Sequence, residues 1–432
     1  MLISFNFGNW KSFKQEACFH TIADDTISFE DSKIYHIKDY DAHILPVSAI
    51  YGGNASGKTN FFQALSFVKE FVVKININSK INVIPFRLDE DCENDTSYFG
   101  IVLYTNGSMY QYEFIVDTHE VIAEGLTKLS ANSGIVLYNR EDHKITFDNS
   151  IKDQDLLNLV FSSTRQNQLF LQACRITNID AFNDIYNWFL DSLEIIYPSD
   201  LFIEFLPVFN NDSHYINEIN SILSEFDTSV EEIITEKYTG KNPYLFIPLD
   251  FLDKPVLDSN EGKFFIFTNP LTKEKFILTK ENSELALYNI FSVHTNQQGH
   301  KRTFAFSDES QGTSRLFDLL PVFTKSNKYN QNKVFVIDEL DRSLHPNLLK
   351  SLLRLFIKNC NSESGPQLIF NCQDVQLLDL DFLRRDQFWV VDKNLKNESS
   401  LVHFTEFKDA HTDNDIRFSY LHGKLGGIPN IN

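Results

Sequence analysis

Apolar and polar residues follow two different periods along the N-terminal part of the chain. Leu2 to Phe7 largely alternates apolar and polar residues, which is the pattern of a strand with one buried face. Ile44 to Tyr51 is an apolar strand that runs into a glycine turn, and Asn60 to Val73 then carries apolar residues at helical spacing. This order predicts a strand, a glycine-rich loop and a helix.

The middle of the chain mixes both periods. Three strand-like runs separated by Asn, Gly and Asp turns predict antiparallel hairpins at 97–104, 109–116 and 144–147. A short strand is predicted at 169–171. Further on, helical and strand-like patterns alternate, with helices at 181–189 and 216–226 and strands at 244–247 and 263–267.

The last third of the chain has the most regular pattern. Helix-like segments and buried strands follow one another, with helices at 314–323 and 346–357 and strands at 334–337, 367–371 and 388–391. Such alternation is typical of a parallel sheet covered by helices on both faces. We therefore predict an α/β fold with a mixed or parallel core sheet, an antiparallel β subdomain and a mainly helical insertion.

These patterns divide the chain into three predicted parts. An N-terminal lobe spans 1–180, an insertion that acts as a lid or partner-binding region spans 181–295, and a C-terminal lobe spans 296–432. The chain has 432 residues, of which 42% are hydrophobic, so it is long enough to bury a substantial core.

Composition narrows the class of protein. No run reaches the roughly 18 apolar residues that a membrane helix needs, and the N-terminus lacks the basic start and apolar run of a signal peptide. We therefore expect a soluble cytoplasmic protein without a membrane partner. The five cysteines are scattered, odd in number and without CxxC spacing, which argues against a disulfide framework and against a zinc site.

The charge balance is strongly acidic. The chain has 39 Lys and Arg against 59 Asp and Glu, a net charge of −20. This excludes a uniformly basic nucleic-acid binder and leaves open a local basic patch that binds DNA or RNA.

Residues 52–60 carry the clearest chemical motif. They read Gly52, Gly53, Asn54, Ala55, Ser56, Gly57, Lys58, Thr59 and Asn60, which satisfies G-x-x-x-x-G-K-[ST]. Glycines let consecutive backbone N–H groups turn inward around phosphate oxygens, Lys58 reaches the β and γ phosphates, and the Thr59 hydroxyl is a Mg²⁺ ligand. Because the motif lies between a predicted buried strand and a predicted helix, we interpret it as a phosphate-binding loop.

A second anchor follows a wholly apolar strand. Asp338 and Glu339 come directly after 334–337, at the carboxyl end of the strand, where ligands of such sheets bind. Asp338 is predicted to hold Mg²⁺ and Glu339 to polarise the attacking water as general base. Since the two motifs are far apart in sequence, an insertion must separate the two halves of the site.

A third motif is weaker by itself. Ser310 and Gly312 lie on a loop directly before a predicted helix, which suits an anion site but is also a common helix cap.

Taken with the other two motifs, this loop resembles the ABC ATPases of the branch shared by SMC, RecF-type repair and OLD-like phage-defence proteins. Asn54 and Asn60 fit that branch's GxNxxGK[ST]N loop, 310–313 its signature motif, and 340–346 the loop after its acidic pair. The segments FGNWKSF (7–13), DESQGT (308–313), RRDQ (384–387) and YLHGKLGGIPNI (420–431) resemble stand-alone abortive-infection ATPases of the AbiL/RloA type.

The resemblance implies the ABC P-loop fold, ATP and Mg²⁺ as ligands, and a homodimer that closes over two nucleotides, with a higher oligomer left open. Ser310 and Gly312 of one copy would contact the ATP held by the other copy, and Asp341 would couple the two sites. Binding of ATP would close the dimer and hydrolysis would release it.

One position departs from the family pattern. Gln373 lies after the switch strand where relatives usually carry His. An amide can hydrogen-bond the γ-phosphate or position water, but it cannot carry a proton as imidazole does, so we expect slow hydrolysis.

Three further residues are lesser candidates. Lys11 and Ser12 lie near the nucleotide in related folds, and Gln172 is either a Mg²⁺- or water-contacting residue or an ordinary surface side chain.

The role in the cell rests on the resemblance. It implies an anti-phage defence ATPase that regulates a separately encoded toxic effector, a nuclease or toxin. The alternative is a DNA-binding repair or chromosome-maintenance ATPase, but 190–285 contains Pro207, Pro243, Pro248 and Pro255 and lacks the sustained heptads of that class. The motor of a membrane transporter would not explain the loop ending in Asn60 or the C-terminal pattern.

Overall fold

The fold was obtained as a computed structural model, and its residues fall into two compact units. One unit comprises Met1–Ile195, Gln331–Leu340 and Cys360–Asn432, and the other comprises Ile196–Asn330 and Asp341–Asn359. The structure describes residues 1–27, 33–75, 80–131, 133–198, 200, 202–205, 213–226, 228–240, 247, 264–281, 284–324, 330, 332–360, 365–407 and 416–428.

The first unit contains two large sheets and six helices among its described residues. Its strands are β1 Leu2–Gly8, β2 Ala17–His20, β3 Tyr35–Ile37, β4 Ala42–Ile44, β5 Val47–Tyr51, β6 Ser97–Thr105, β7 Ser108–Val116, β8 Val121–Leu129, β9 Gly134–Glu141, β10 Lys144–Phe147, β11 Leu193–Ile196, β18 Val334–Ile337, β19 Gln367–Asn371, β20 Phe388–Lys393 and β21 Ser399–His403. Its helices are α1 Lys58–Val73, α2 Glu90–Glu93, α3 Gln154–Ser163, α4 Phe170–Ile176, α5 Asn183–Asn187 and α9 Ile416–Leu421.

The core sheet of this unit has the order β11-β18-β19-β5-β20-β21. Strands β18, β19, β5 and β20 run parallel, and β21 returns antiparallel to β20. Because β18, β19 and β5 are parallel neighbours, their carboxyl ends meet at one edge of the sheet. The parallel core predicted from the last third of the chain is confirmed.

The other large sheet is an antiparallel meander of order β10-β9-β8-β7-β6-β1-β2. The predicted hairpins at 97–104 and 109–116 are confirmed as β6 and β7. Helix α1 packs on this sheet through aromatic rings, with Phe61 5.3 Å from Phe19 and Phe67 4.9 Å from Phe99 between centroids. The rings fix the helix that carries Lys58 and Thr59 at its start.

A buried glutamine ties the first strand to the core sheet. The Gln367 amide accepts from the Leu2 N–H at 2.7 Å and donates to the Leu2 carbonyl at 2.9 Å. With 1% of its surface exposed, Gln367 gives the buried Leu2 N–H an acceptor and, together with the Thr21 hydroxyl at 2.7 Å, gives the Leu2 carbonyl a donor.

The second unit is built on an antiparallel sheet. Its elements are β12 Phe202–Phe205, α6 Ser213–Glu225, β13 Glu232–Lys237, β14 Phe264–Thr268, β15 Lys275–Glu281, β16 Glu284–Thr295, β17 Lys301–Ala305, α7 Gln311–Phe323 and α8 Pro346–Asn359. The strands follow the order β12-β14-β15-β16-β13, and β17 pairs with β16.

The insertion predicted at 181–295 contains more strand than expected. Helix α6 corresponds to the predicted helix at 216–226, but strands β13 to β16 form the larger part of the described residues between α6 and 295. Strand β15 pairs residue by residue with β16, and its residues Lys275 to Thr279 are buried. The predicted strand at 244–247 lies almost wholly outside the described residues.

The predicted strand at 169–171 is wrong, because helix α4 begins there. The Glu124 carboxylate accepts from the backbone N–H groups of Phe170, at 2.6 Å, and Leu171, at 3.0 Å. A side chain from a distant strand therefore satisfies the first helical donors, and no local residue signals this.

Among the described residues, no helix is both long and apolar enough to cross a bilayer.

Candidate functional site

The phosphate loop connects the end of β5 to the start of α1. A Cβ atom on Gly57 would lie 2.5 Å from the Ser399 hydroxyl, and the residue has a φ of +116°, so only glycine fits. A Cβ atom on Gly52 would collide with the Val391 carbonyl oxygen. Glycine is thus required at both positions by the packing of neighbouring strands as well as by the turn. Asn54 and Ala55 are exposed at the tip of the loop.

Lys58 is buried at the first position of α1. Its ammonium donates to the carbonyl oxygens of Gly52, at 2.6 Å, and Gly53, at 2.9 Å. The side chain therefore lies along the inside of the loop, where a phosphate group would compete for the same positive charge.

The acidic strand end lies beside the first turn of α1. The Thr59 hydroxyl lies 3.2 and 3.4 Å from the two carboxylate oxygens of Asp338, which is 3% exposed. Burial raises the pKa of Asp338, and hydrogen bonds from Asn371 and Thr59 oppose that shift. The structure thus brings the two predicted Mg²⁺ ligands together across 279 residues of sequence separation.

Asn371 organises this corner, and our reading of the sequence missed it. Its amide nitrogen donates to Asp338, and its amide oxygen accepts from the Glu339 backbone N–H at 2.8 Å. Glu339 has a φ of +49°, so its backbone departs from the strand as soon as the strand ends. The signal was present: Asn371 ends a buried strand with a polar residue, as Asp338 does.

These residues fit a magnesium nucleotide. A hydroxyl and a carboxylate are the hard oxygen ligands that Mg²⁺ prefers, and they lie beside a loop whose N–H groups suit phosphate. A desolvated carboxylate such as Asp338 is stabilised by a cation more than an exposed one would be.

A hydroxyl cluster supports the back of the loop. The Ser399 hydroxyl donates to the Ser56 carbonyl at 2.5 Å and lies 2.8 Å from the Ser12 hydroxyl, which accepts from the Asn60 amide at 2.7 Å. Ser399 was also missed by sequence reasoning, since nothing in the sequence around it signals a site. The cluster brings Ser12, a lesser candidate, into contact with the motif.

Lys11, next to Ser12 in the sequence, contacts α1 and not the phosphate loop itself. Its ammonium donates to the Gln63 amide oxygen at 2.5 Å, and partial burial lowers the pKa of Lys11. Gln63 lies one helical turn beyond Thr59, so Lys11 is a neighbour of the loop.

Gln172 is not brought to this site. Its amide donates to the carbonyl oxygens of Phe71, Val72 and Lys74 at the far end of α1. At about 1.5 Å of rise per residue, that end lies roughly 20 Å from Thr59. The buried amide satisfies the last carbonyls of the helix, a role that follows from the tertiary fold and not from the local sequence.

Gln373 follows the end of β19 and is exposed. Its neighbour Asp374 accepts from the Gln376 backbone N–H at 2.9 Å and, through its carbonyl, from the Tyr51 hydroxyl at 3.1 Å. Gln373 therefore lies at the same edge of the sheet as Asn371, on a short segment held by β5.

The signature loop belongs to the second unit. Ser310 is exposed at the start of α7, and its hydroxyl accepts from the Thr313 N–H at 3.1 Å. A Cβ atom on Gly312 would lie 2.8 Å from the Ser343 carbonyl oxygen. This close approach joins the signature loop to the segment after Asp341, and the two line an open groove of about 600 Å³.

The residue before Ser310 is held by the sheet of this unit. The Glu309 carboxylate accepts from the Ser292 hydroxyl and lies 2.6 Å from His294 Nε2, both on β16. The candidate residues are thus divided: Lys58, Thr59, Asp338, Glu339 and Gln373 lie in the first unit, whereas Ser310, Gly312 and Asp341 lie in the second.

Comparison with known proteins identifies a family. Residues 47–379 match the profile of a family described as "AAA domain, putative AbiEii toxin, Type IV TA system". No curated protein matches the chain.

Two solved structures are similar to the chain at low identity. One is the SMC head domain from Thermotoga maritima, with 13% identity and a TM-score of 0.37 over 93% of this chain and 98% of that chain. The other is an SmcHead bound to the C-winged helix domain of ScpA, with 12% identity and a TM-score of 0.42 over 93% of this chain and 96% of that chain.

The family match spans more than half of the chain and includes all three motifs and the switch strand. It confirms the resemblance to ATPases with abortive-infection relatives. The chain belongs to this family of AAA-domain ATPases.

Proposed function

We propose that the chain binds ATP with Mg²⁺ at the phosphate loop and hydrolyses it slowly. The observation that supports this most directly is the contact between Thr59 and Asp338, which unites two motifs that are far apart in sequence. Lys58 would exchange the loop carbonyls for phosphate oxygens, and the N–H groups of the loop would bind the α and β phosphates.

Thr59 and Asp338 would hold the metal ion. When bound, Mg²⁺ supplies charge neutralisation on the phosphate oxygens. The surrounding residues position these two ligands, since Asn371 orients Asp338 and also holds the Glu339 backbone.

Glu339 would orient the attacking water as general base, and Gln373 would contact the γ-phosphate without taking up a proton. This division of roles predicts a slow ATPase. A fast rate from the isolated protein would contradict it.

We further propose that two copies close over two nucleotides, with Ser310 and Gly312 of one copy facing the ATP of the other. Ser310 is exposed at the N-terminus of a 13-residue helix, where backbone N–H groups and the helix dipole favour an anion. Asp341, which lies in the same unit, would couple the two sites.

The biological role that we propose is anti-phage defence through a separately encoded effector. The family description, which names a toxin and a toxin–antitoxin system, supports a two-component arrangement.

The primary experiment is calorimetric titration of the full chain with ATP in the presence of Mg²⁺. Lys58→Ala is expected to weaken binding by about a hundredfold or more, because a charge-assisted contact to phosphate is lost and the loop carbonyls lose their donor. Lys74→Ala is the matched control, since Lys74 ends the same helix with an exposed ammonium that pairs with Glu70. Equal ATP affinity in the two variants would contradict the proposed function.

A further inference from the structure

The C-terminal pattern YLHGKLGGIPNI (420–431) contributes no residue to the site described so far. Its described part consists of the end of α9 and the loop that follows, up to residue 428, and both belong to the same unit as the phosphate loop. The pattern is one of the segments that carry the family resemblance, yet it contains none of the phosphate, metal or signature motifs.

The loop after α9 lies directly against the first turn of the phosphate loop. A Cβ atom on Gly427 would lie 3.3 Å from the Gly52 Cα atom and 2.5 Å from Val390 Cγ1. Gly427 has a φ of +68°, and its N–H donates to the Asp392 carboxylate at 3.0 Å. Both Val390 and Asp392 lie on β20, the strand beside β5, so Gly427 is wedged where only a glycine fits.

Tyr420 links the two glycines. Its hydroxyl donates to the Gly427 carbonyl at 3.0 Å, and its ring packs edge-on against Tyr51, with 5.8 Å between centroids. Burial raises the pKa of Tyr420 to about 12, while a hydrogen bond from the Gly52 backbone opposes that shift. The phenol is therefore neutral near pH 7 and can accept from Gly52 while it donates to Gly427.

We propose that the segment 416–428 is part of the nucleotide site and holds the first turn of the phosphate loop in the shape that binds phosphate, with Tyr420 as the positioning residue. This inference rests on the proposed function of the loop. A phosphate loop binds through backbone N–H groups, whose directions depend on the path of the chain through its glycines. Gly52 has no side chain to fix that path, and the C-terminal segment supplies the contacts from outside.

The test compares two buried tyrosines. Tyr420 lies beside the phosphate loop that precedes α1, and Tyr186 contacts the far end of α1. Tyr420→Phe keeps the ring on Tyr51 and removes the hydroxyl beside Gly52. The control is Tyr186→Phe, because the Tyr186 hydroxyl donates to the Val73 carbonyl at 3.2 Å, at the far end of α1. Each variant loses one hydrogen bond to a backbone carbonyl, and Tyr420→Phe also loses the bond from Gly52, so both melting temperatures should fall, that of Tyr420→Phe by at least as much.

We expect both variants to be less stable but only Tyr420→Phe to bind nucleotide more weakly. Tyr420→Phe should weaken binding of both ATP and ADP by about threefold to tenfold, because the loop loses the hydroxyl that positions it and contacts phosphates that both nucleotides carry. Tyr186→Phe should bind as the unmodified chain does. Gly427→Ala, which must move away from Val390 and Gly52, should weaken binding more than Tyr420→Phe.

Three results would overturn the inference: unchanged affinity in Tyr420→Phe, equal weakening in Tyr186→Phe, or an effect on ATP without one on ADP. Lys58→Ala, measured in parallel, separates this from the proposed function. If Lys58→Ala loses ATP binding and Tyr420→Phe does not, only the role of the C-terminal segment fails. If Lys58→Ala also binds normally, the nucleotide site itself is wrong.

Discussion

The phosphate-loop corner of the first unit and the signature surface of the second unit are built in opposite ways. Around the phosphate loop, the candidate side chains contact one another: Thr59 meets Asp338, and Asn371 bridges Asp338 to Glu339. On the signature surface, Ser310 is exposed and its hydroxyl caps its own helix.

The difference concerns what each region needs in order to act. The first region brings the proposed metal ligands and the proposed phosphate loop together within one chain. The second offers a helix N-terminus and a groove lined by Ser310, Gly312 and Ser343. A surface of this kind suits a ligand held by another molecule, which is the arrangement that a closed dimer provides.

The largest effect is expected at Glu339, within the first region. Glu339→Gln keeps the size of the side chain and removes the base, so hydrolysis should fall by about a hundredfold or more while ATP binding is retained. The dimer should then accumulate with ATP, as measured by light scattering after size exclusion. The control is Glu93→Gln, an exposed residue of α2; a Glu339→Gln chain that stays monomeric with ATP would contradict the dimer.

A smaller but more selective effect is expected at Ser310, in the second region. Ser310→Asp keeps a good helix cap, so the melting temperature should change little. The added carboxylate would face the triphosphate of the partner copy, and ATP-dependent dimerisation should weaken by about tenfold or more through like-charge repulsion. Binding of ATP by the monomer should stay within about twofold of normal, because Ser310 does not contact the nucleotide of its own chain in this account.

Loss of ATP affinity in the Ser310→Asp monomer would place the signature loop beside its own chain's nucleotide. The two regions would then not require a second copy.

The smallest effect on ATP hydrolysis is expected at Asn371, which sharpens the account of the first region. Asn371→Ala removes one bond to the Asp338 carboxylate and one to the Glu339 backbone, and should destabilise the fold by about 2–3 kcal/mol. The concentration of Mg²⁺ needed for half-maximal hydrolysis should rise, since Asp338 is no longer oriented. An unchanged requirement for Mg²⁺ would mean that Asn371 is only structural.

The sequence was sufficient for the motifs that are local. The phosphate loop lies between a strand and a helix as predicted, and the acidic pair directly follows a buried parallel strand. Both could be predicted because the motif residues and the periodic apolar residues that define the flanking elements are neighbours in the sequence. The α/β class followed from the same alternation.

Long-range contacts account for what was missed. Helix α4 is stabilised at its start by Glu124 from another strand, so 169–171 read as a strand when taken alone. Gln172, predicted to contact Mg²⁺ or water or to lie on the surface, is instead buried against the end of α1, which only the fold determines. Ser399 carries no motif of its own, and Asn371 is signalled only by its place at the end of a buried strand; the fold brings them to Ser56 and Asp338. The domain boundaries predicted at 180 and 295 stay predictions.

The central claim is that the phosphate loop of one copy is completed by the signature loop of another, and mixing two defective chains tests it directly. Ser310→Asp has an intact phosphate loop and Lys58→Ala an intact signature loop, so each alone should be nearly inactive as an ATPase. If the site is shared between copies, mixing them in equal amounts should restore roughly a quarter of the normal ATPase activity, since half of random dimers are mixed and each mixed dimer has one complete site. A mixture no more active than the two separate chains would contradict the claim.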